Sequence, residues 1–373
     1  MISKITIDKV FQTALVEEVI GDFIQLKKSG SNYKGLSPFT NEKTPSFMVS
    51  PTKQIWKDFS SGKGGNVIAF LMEHEQYSYP QSIRYLADKY NIEIIETELT
   101  DKQKDQNNAK EKLFLICDFA KNYFLNQFNE SHFGKTIART YFDEREFNDE
   151  TLKKFEIGSL GSEKYNLRDH CLSMGYNTDD LEALGLISSK NQMDIYRSRL
   201  IFPIKSISGR TIGFGARILD NNKKSAKYIN SPDSIIYNKS NVLFGLYNSK
   251  NEIVKKDNCF IAEGYTDVMR FHQIGIKNIV SSSGTALTVS QINLIRRLTK
   301  NVTMLFDSDK AGVNATERAV ELLLSQGMNI DICILPDNED PDSFGRSKTQ
   351  EEINNYVEEN SVDFIEFKSN MLG

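Results

Sequence analysis

A regular alternation over residues 259–335 constrains this chain more than any other feature. Four short apolar runs, 259–262, 279–281, 302–306 and 330–335, are separated by stretches of helical periodicity that begin at Asp267, Ser290 and Ala311. Strands spaced by helices in this way predict a parallel sheet with helices on its faces. In such sheets ligands gather beyond the carboxyl ends of the strands, and three of those ends carry acids. Glu263 ends the first run with Asp267 close behind, Asp307 and Asp309 end the third, and Asp340 and Asp342 follow the fourth. Six carboxylates converging on one edge repel one another unless cations offset them, and hard oxygen donors without Cys or His suit Mg²⁺ or Mn²⁺ rather than zinc. The chemistry this points to is phosphoryl transfer. A lone Asp-x-Asp before a helix reads as an N-cap with a solvated neighbour, but the agreement of three strand ends argues for a metal site.

Upstream the texture changes. Amphipathic helices at 7–16 and 80–90 enclose strand-like runs at 47–49 and 54–56, which flank a Ser50-Pro51-Thr52-Lys53 hairpin turn. Residues 96–112 offer almost nothing to bury and form an interdomain linker or a solvated helical connector. Helical texture at 113–128 and 134–155 gives way from Tyr196 to short β runs broken by Ser208-Gly209. The expected fold class is α+β and α/β multidomain. Domain 1–95 and linker 96–112 precede domain 113–373, which divides into a mixed α+β part at 113–257, the parallel-sheet part at 258–345 and the start of a helical part at 346–373. Gly62-Lys63-Gly64-Gly65 lacks the Ser or Thr of a phosphate loop and Gly213-Phe214-Gly215 lacks the third glycine of a dinucleotide loop, so both read as tight turns.

The net charge of −4 over 373 residues hides segregation. Residues 24–63 hold seven Lys against Glu42 and Asp58, residues 197–239 hold nine Lys and Arg against Asp220 and Asp233, and residues 337–366 hold ten acids against Arg346 and Lys348. An acidic tail masks a basic body, which suits a polyanionic partner. In the first basic stretch the lysines interleave with Tyr33, Phe39, Phe47, Trp56 and Phe59, a pattern for single-stranded DNA binding by charge and stacking, with core packing an equal alternative for each ring. Lys34, Lys43, Lys53, Lys57 and Lys63 are the candidate DNA contacts. The four cysteines are far apart with no Cys-x-x-Cys pair and read as core thiols. His74, His132, His170 and His272 share no spacing and receive no role. No apolar run is long enough to span a membrane, and a cytoplasmic monomer is expected.

Specific motifs carry a resemblance over nearly the whole chain. A Glu after one strand, Asp-x-Asp after a later one and a further acidic pair match the Toprim domain. A calcium loop from Asp307 fails at Arg318, its twelfth position, and the Asp-x-Asp-x-Thr pattern of haloacid-type phosphatases fails at Ala311. With YKGLSPFTNEKTPSF at 33–47, GKGGNVIAFLM at 62–72, RLIFPI at 199–204, GRTIGFGAR at 209–217 and KYINSP at 227–232, the chain resembles the bacterial replicative primase of the DnaG type. The resemblance implies a small zinc-ribbon-like N-terminal domain, a mixed α+β subdomain and a Toprim parallel-sheet fold. It implies a DNA-directed RNA polymerase that takes ribonucleoside triphosphates on a single-stranded DNA template. Glu263, Asp307 and Asp309 are implied nearest the chemistry, with Asp267, Asp340 and Asp342 completing a Mg²⁺ or Mn²⁺ shell. Arg145, Arg199, Arg217, Lys227 and Lys239 are implied phosphate contacts, with Tyr228 and Asn230 at sugar or base. The family holds zinc with three Cys and one His, and Ser37, Thr40, Asp58 and Ser61 stand at those positions in the same spacing, so no zinc is expected. The family's C-terminal domain for the replicative helicase has no counterpart in these residues, and helicase binding is not expected of them. A Toprim-type nuclease or topoisomerase and a non-catalytic single-stranded DNA-binding adaptor are the competing readings.

Overall fold

The computed structural model describes residues 2–75, 77–95, 101–219, 225–284, 286–306, 310–336 and 339–364, without the side chains of 101–104, 306 and 310–317. It forms two compact units, residues 1–106 and 107–373.

The first unit opens with helices α1 (Lys4–Thr13) and α2 (Val16–Gly21), continues through strands β1 (Lys27–Ser29), β2 (Asn32–Gly35), β3 (Phe47–Ser50), β4 (Ile55–Asp58) and β5 (Gly64–Gly65), and closes with α3 (Val67–His74) and α4 (Tyr79–Lys89). The strands make an antiparallel sheet in chain order. Strand alternation divides the side chains. Val49 and Trp56 pair across β3 and β4 and are buried with Phe47, Phe70, Leu71 and Leu86. Phe47 stacks on Trp56 at 5.3 Å, and Trp56 Nε1 donates to the Asn66 carbonyl at 2.9 Å. Phe47 and Trp56 are therefore core rings, whereas Phe59 is 68% exposed. The sequence GKGG is only partly a turn, since Gly62 has φ +73° but Gly64 and Gly65 form β5.

A long helix, α5 (Asp101–Glu130), carries the chain into the second unit; its residues 105–112 are exposed and Leu113 is the first buried one among its described side chains. A π-helical turn at Gly134–Ala138 leads into α6 (Arg139–Asp143), and the expected continuous helix breaks before α7 (Asp149–Lys154). Then follow β6 (Gly158–Leu160), α8 (Asn166–Ser173), α9 (Thr178–Ala183), β7 (Arg199–Lys205), β8 (Thr211–Ile218) and β9 (Tyr228–Asn230), and β6 to β9 form an antiparallel sheet in that order. Gly213-Phe214-Gly215 lies inside β8, correcting the expectation of a tight turn there. Its glycines serve close packing: a Cβ on Gly215 would collide with the ring and hydroxyl of Tyr265.

Helix α10 (Leu246–Lys256) introduces the alternating part: β10 (Cys259–Ala262), α11 (Tyr265–Gln273), β11 (Ile279–Ser281), α12 (Val289–Arg296), β12 (Asn301–Phe306), α13 (Lys310–Ser325), β13 (Asn329–Ile334), α14 (Pro341–Arg346), α15 (Gln350–Asn360) and β14 (Ser361–Asp363). The sheet order is β11-β10-β12-β13-β14, parallel except for the antiparallel edge strand β14. Strands buried on both faces read as continuous apolar runs, and β10 and β11 are buried throughout. One core joins this sheet to the preceding subdomain through Phe202, Phe244, Tyr265 and Phe271. The four cysteines are free and buried.

Candidate nucleic-acid interface and active site

On the first unit's sheet the register aligns Lys27 with Lys34, Lys34 with Met48, and Met48 with Lys57. Lys27, Lys34 and Lys57 thus form one cross-strand row on the face opposite Val49 and Trp56. Like charges side by side on a sheet repel, and a polyanion relieves that repulsion. A groove of about 440 Å³ lies beside the row among Asn32, Met48, Lys53, Ile55, Lys57 and Phe59. Lys43 and Lys53 are exposed. Lys63 is instead committed to Glu73 at 2.5 Å and lies 4.9 Å from the Phe39 ring centroid. Sequence reasoning missed Lys27, because only the register puts it beside Lys34.

The four positions aligned with zinc ligands are tied together by hydrogen bonds. Asp58 is buried, and its carboxylate accepts from Ser37 Oγ at 2.8 Å, Ser46 Oγ at 3.2 Å, Ser60 Oγ at 3.1 Å, Ser61 N at 3.1 Å and Ser61 Oγ. Ser37 Oγ accepts in turn from the amides of Phe39 and Thr40, and the hydroxyls of Thr40 and Ser60 share a bond at 2.6 Å. Burial pushes the Asp58 carboxyl up, but the hydroxyls of Ser61, Ser37 and Ser60 outweigh it and hold the group below its ordinary range. Hydroxyls and one carboxylate do not fit a structural zinc ion, which takes thiolate and imidazole.

In the second unit the basic residues meet the edge of the parallel sheet at Tyr265. β8 pairs Gly215 with Asn230 and Arg217 with Tyr228 on β9. Tyr265 opens α11, two residues after Glu263. Its ring lies 4.8 Å from Phe202, stacked, and its hydroxyl bonds the Asn230 amide. With the amide NH₂ toward that hydroxyl, Asn230 Oδ1 accepts from Lys239 Nζ at 2.7 Å. Burial lowers the Lys239 ammonium below its ordinary range. Arg217 donates to the Tyr228 hydroxyl at 3.1 Å, and Lys227 is exposed. Arg199 is corrected: it is buried, and its guanidinium donates to the carbonyls of Ala226 at 3.1 Å and Lys227 at 3.5 Å, so it fixes the backbone that presents Lys227 and Tyr228.

Among the acids, Glu263 is exposed just past the end of β10 and lines a cleft of about 430 Å³ with Ser282, Met304 and Arg318. Asp267 is buried and accepts from the Gly264 amide at 2.7 Å, capping α11. Asp340 caps α14 by accepting from Ser343 N at 2.7 Å. Asp342 is buried against Arg270 at 3.0 Å, with Arg145 and Arg346 each at 3.7 Å. These two acids are engaged as a cap and an ion pair, where a metal shell was expected. Asp307 and Asp309 lie outside the described residues. Among the described residues no three carboxylates, histidines or cysteines come together as a metal site, and no helix is long and apolar enough to cross a membrane.

Comparison with known proteins fits this division. The CHC2 zinc finger model matches residues 2–103, the DNA primase catalytic core N-terminal domain 123–250, and the Toprim-like model 260–345. Fold and matches together define the class, a Toprim protein with a primase-type subdomain and a zinc-ribbon module ahead of it. The DNA primase of Clostridium acetobutylicum is 38% identical over 374 residues, 99% of this chain and 61% of the relative. That of Listeria monocytogenes is 33% identical over 378 residues, 98% and 59% respectively. The crystal structure of the Aquifex aeolicus primase zinc-binding and RNA polymerase domains matches with TM-score 0.63 and 34% identity, covering 97% of this chain and 87% of that one. A DnaG primase catalytic domain bound to single-stranded DNA matches with TM-score 0.63 and 30% identity over 69% of this chain and 83% of that one. The chain belongs to the DnaG-type DNA primase family, and it spans about three fifths of the length of the curated relatives it matches.

Proposed function

We propose that this chain carries the template-binding and polymerising parts of a DNA primase, a DNA-directed RNA polymerase that builds short RNA primers on single-stranded DNA in the bacterial cytoplasm. The observation that supports this best is the junction at Tyr265, which ties the acid-tipped end of β10 to the basic strands β8 and β9. Chemistry of this kind needs a polyanionic template, a triphosphate and carboxylates in one place.

In this reading the 3′-hydroxyl of one nucleotide attacks the α-phosphate of the next and pyrophosphate leaves. Arg217, Lys227 and Lys239 bind phosphates, and Tyr228 and Asn230 contact sugar or base. Glu263, Asp307 and Asp309 would hold Mg²⁺ or Mn²⁺, whose chemistry is to lower the pKa of the attacking hydroxyl and neutralise the triphosphate. Asp267, Asp340 and Asp342 act one layer behind, through the α11 cap, the α14 cap and the anchoring of Arg145. Lys34, Lys43, Lys53 and Lys57, with Lys27, hold the template on the first unit, which works without zinc. The chain acts as a monomer.

The test is primer synthesis from labelled ribonucleotides on single-stranded DNA with Mg²⁺. The expected result is synthesis by the parent and loss of it in Glu263→Gln with template affinity kept. DNA scission without synthesis would favour a Toprim nuclease, and binding alone an adaptor.

A further inference from the structure

Two guanidiniums share one buried ring in the second unit. Tyr141 on α6 is 7% exposed, and its ring centroid lies 4.0 Å from the Arg145 guanidinium carbon and 4.5 Å from that of Arg217. We propose that Tyr141 is a positioning residue that holds Arg145 and Arg217 together as one phosphate-binding unit. The proposal rests on the primase reading, which assigns both arginines to phosphate.

Bringing two cations to one place requires an attraction that offsets their repulsion. Arg145 has Asp342 at 3.7 Å. Arg217 has no carboxylate partner among the described residues: its neighbours are the Tyr141 ring, the Tyr228 ring at 5.5 Å and the Tyr228 hydroxyl. Aromatic faces attract a cation through their quadrupole without cancelling its charge. An arginine held by a carboxylate has to exchange that partner for a phosphate, whereas one held by rings keeps its full charge for the ligand. The two arginines also come from distant places, the turn after α6 and strand β8, and Tyr141 is the side chain both of them touch.

The contact is made by the ring and not by the hydroxyl, because Tyr141 Oη is buried without a hydrogen-bond partner. Burial keeps that hydroxyl protonated, with its pKa well above the ordinary tyrosine value. The geometry therefore separates two substitutions that a packing role would treat alike. Phe retains the aromatic face and removes an unpartnered polar atom. Met fills much of the volume and has no face.

The probes are GTP and inorganic triphosphate, bound to the full chain and measured by calorimetry, beside thermal melting and primer synthesis. Tyr141→Phe is expected to bind within about twofold of the parent. Tyr141→Met is expected to bind about five- to tenfold more weakly, the range of one or two cation–π contacts, with KM for ribonucleotide raised and kcat nearly kept. The double variant Tyr141→Met/Arg217→Met should lose less than the sum of the two single losses, since part of the ring's effect passes through that arginine. If Tyr141→Met does not melt cooperatively, Arg217→Lys reads the same contact from the other side and should lose affinity although the charge is retained. Additive losses in the double variant, parental binding by Tyr141→Met, or parental binding by Arg217→Lys would overturn the proposal for Tyr141. A parent that binds neither probe would overturn the primase reading of this groove instead.

Discussion

Asp58 shows how a single buried carboxylate can tie two loops together. Its carboxylate collects hydroxyl and amide donors from 37, 46, 60 and 61, the segments a zinc ion joins in a CHC2 finger. Charge-assisted bonds to a buried acceptor each contribute about 1.5–3 kcal/mol. Asp58→Ala should therefore lower the stability of the first unit by about 3 kcal/mol or more, read as an earlier melting transition of the Trp56 signal; a parental melt would show that the network carries no stability. Because its pKa is depressed in the folded state, this stabilisation is present above the unfolded value and fades as acid protonates the folded carboxyl. Asp194 has the opposite sign. It is buried, and although it accepts from the amides of Leu167 at 2.8 Å and Arg168 at 3.0 Å, burial pushes its carboxyl up to about 6 from an ordinary 3.8. The folded state binds the proton more tightly, so stability falls as pH rises from about 4 to about 6 and then levels off, by roughly 3 kcal/mol in all. Melting the parent beside Asp194→Asn across pH 4 to 8 should show the parent losing ground only inside that window; a constant difference would refute the assignment to Asp194.

At the scale of elements, glycine marks the places where the second unit draws its parts together. Gly215 lets the Tyr265 ring lie on β8, and Gly134 lets the π-helical turn close on the carbonyls of Gln127 and Phe128 at the end of α5. A methyl at either position meets a ring or backbone that cannot swing aside. Gly215→Ala should displace Tyr265 from Asn230 and cut primer synthesis at least tenfold with a smaller loss of template affinity; equal losses in both would place the defect in the whole fold. These elements also show what a linear reading can and cannot reach. The β–α alternation from 259 to 335 was legible because doubly buried strands and amphipathic helices write their burial into local periodicity. Gly213-Phe214-Gly215 read as a turn because its actual reason, the Tyr265 ring, lies fifty residues further along the chain. Arg199 and Asp342 show the same limit: residue type announces charge, but only the fold puts one against the carbonyls of 226 and 227 and the other against Arg270.

Across the whole molecule, the net charge of −4 says little about binding, because the charge is sorted by segment within each unit. The first unit presents Lys27 and Lys34 on neighbouring strands and Lys57 two strands further, beyond Met48, at roughly 4.8 Å per strand. Such a ladder can follow the backbone of a single strand, with Phe59 exposed nearby for base contact. Each lysine that neutralises a phosphate on single-stranded DNA adds about 0.7 to the slope of log affinity against log salt. Changing all three to Gln in the full chain should therefore lower that slope by about 2 and weaken template binding at every sequence alike, while Trp56 fluorescence and the melting transition stay parental. Lys63→Gln, which removes the partner of Glu73, should leave the slope nearly unchanged and serves as the control for total charge. If the triple variant and the control shift the slope by the same amount per lysine, the row is not the template's path and DNA is attracted only by the general basic character of residues 24–63.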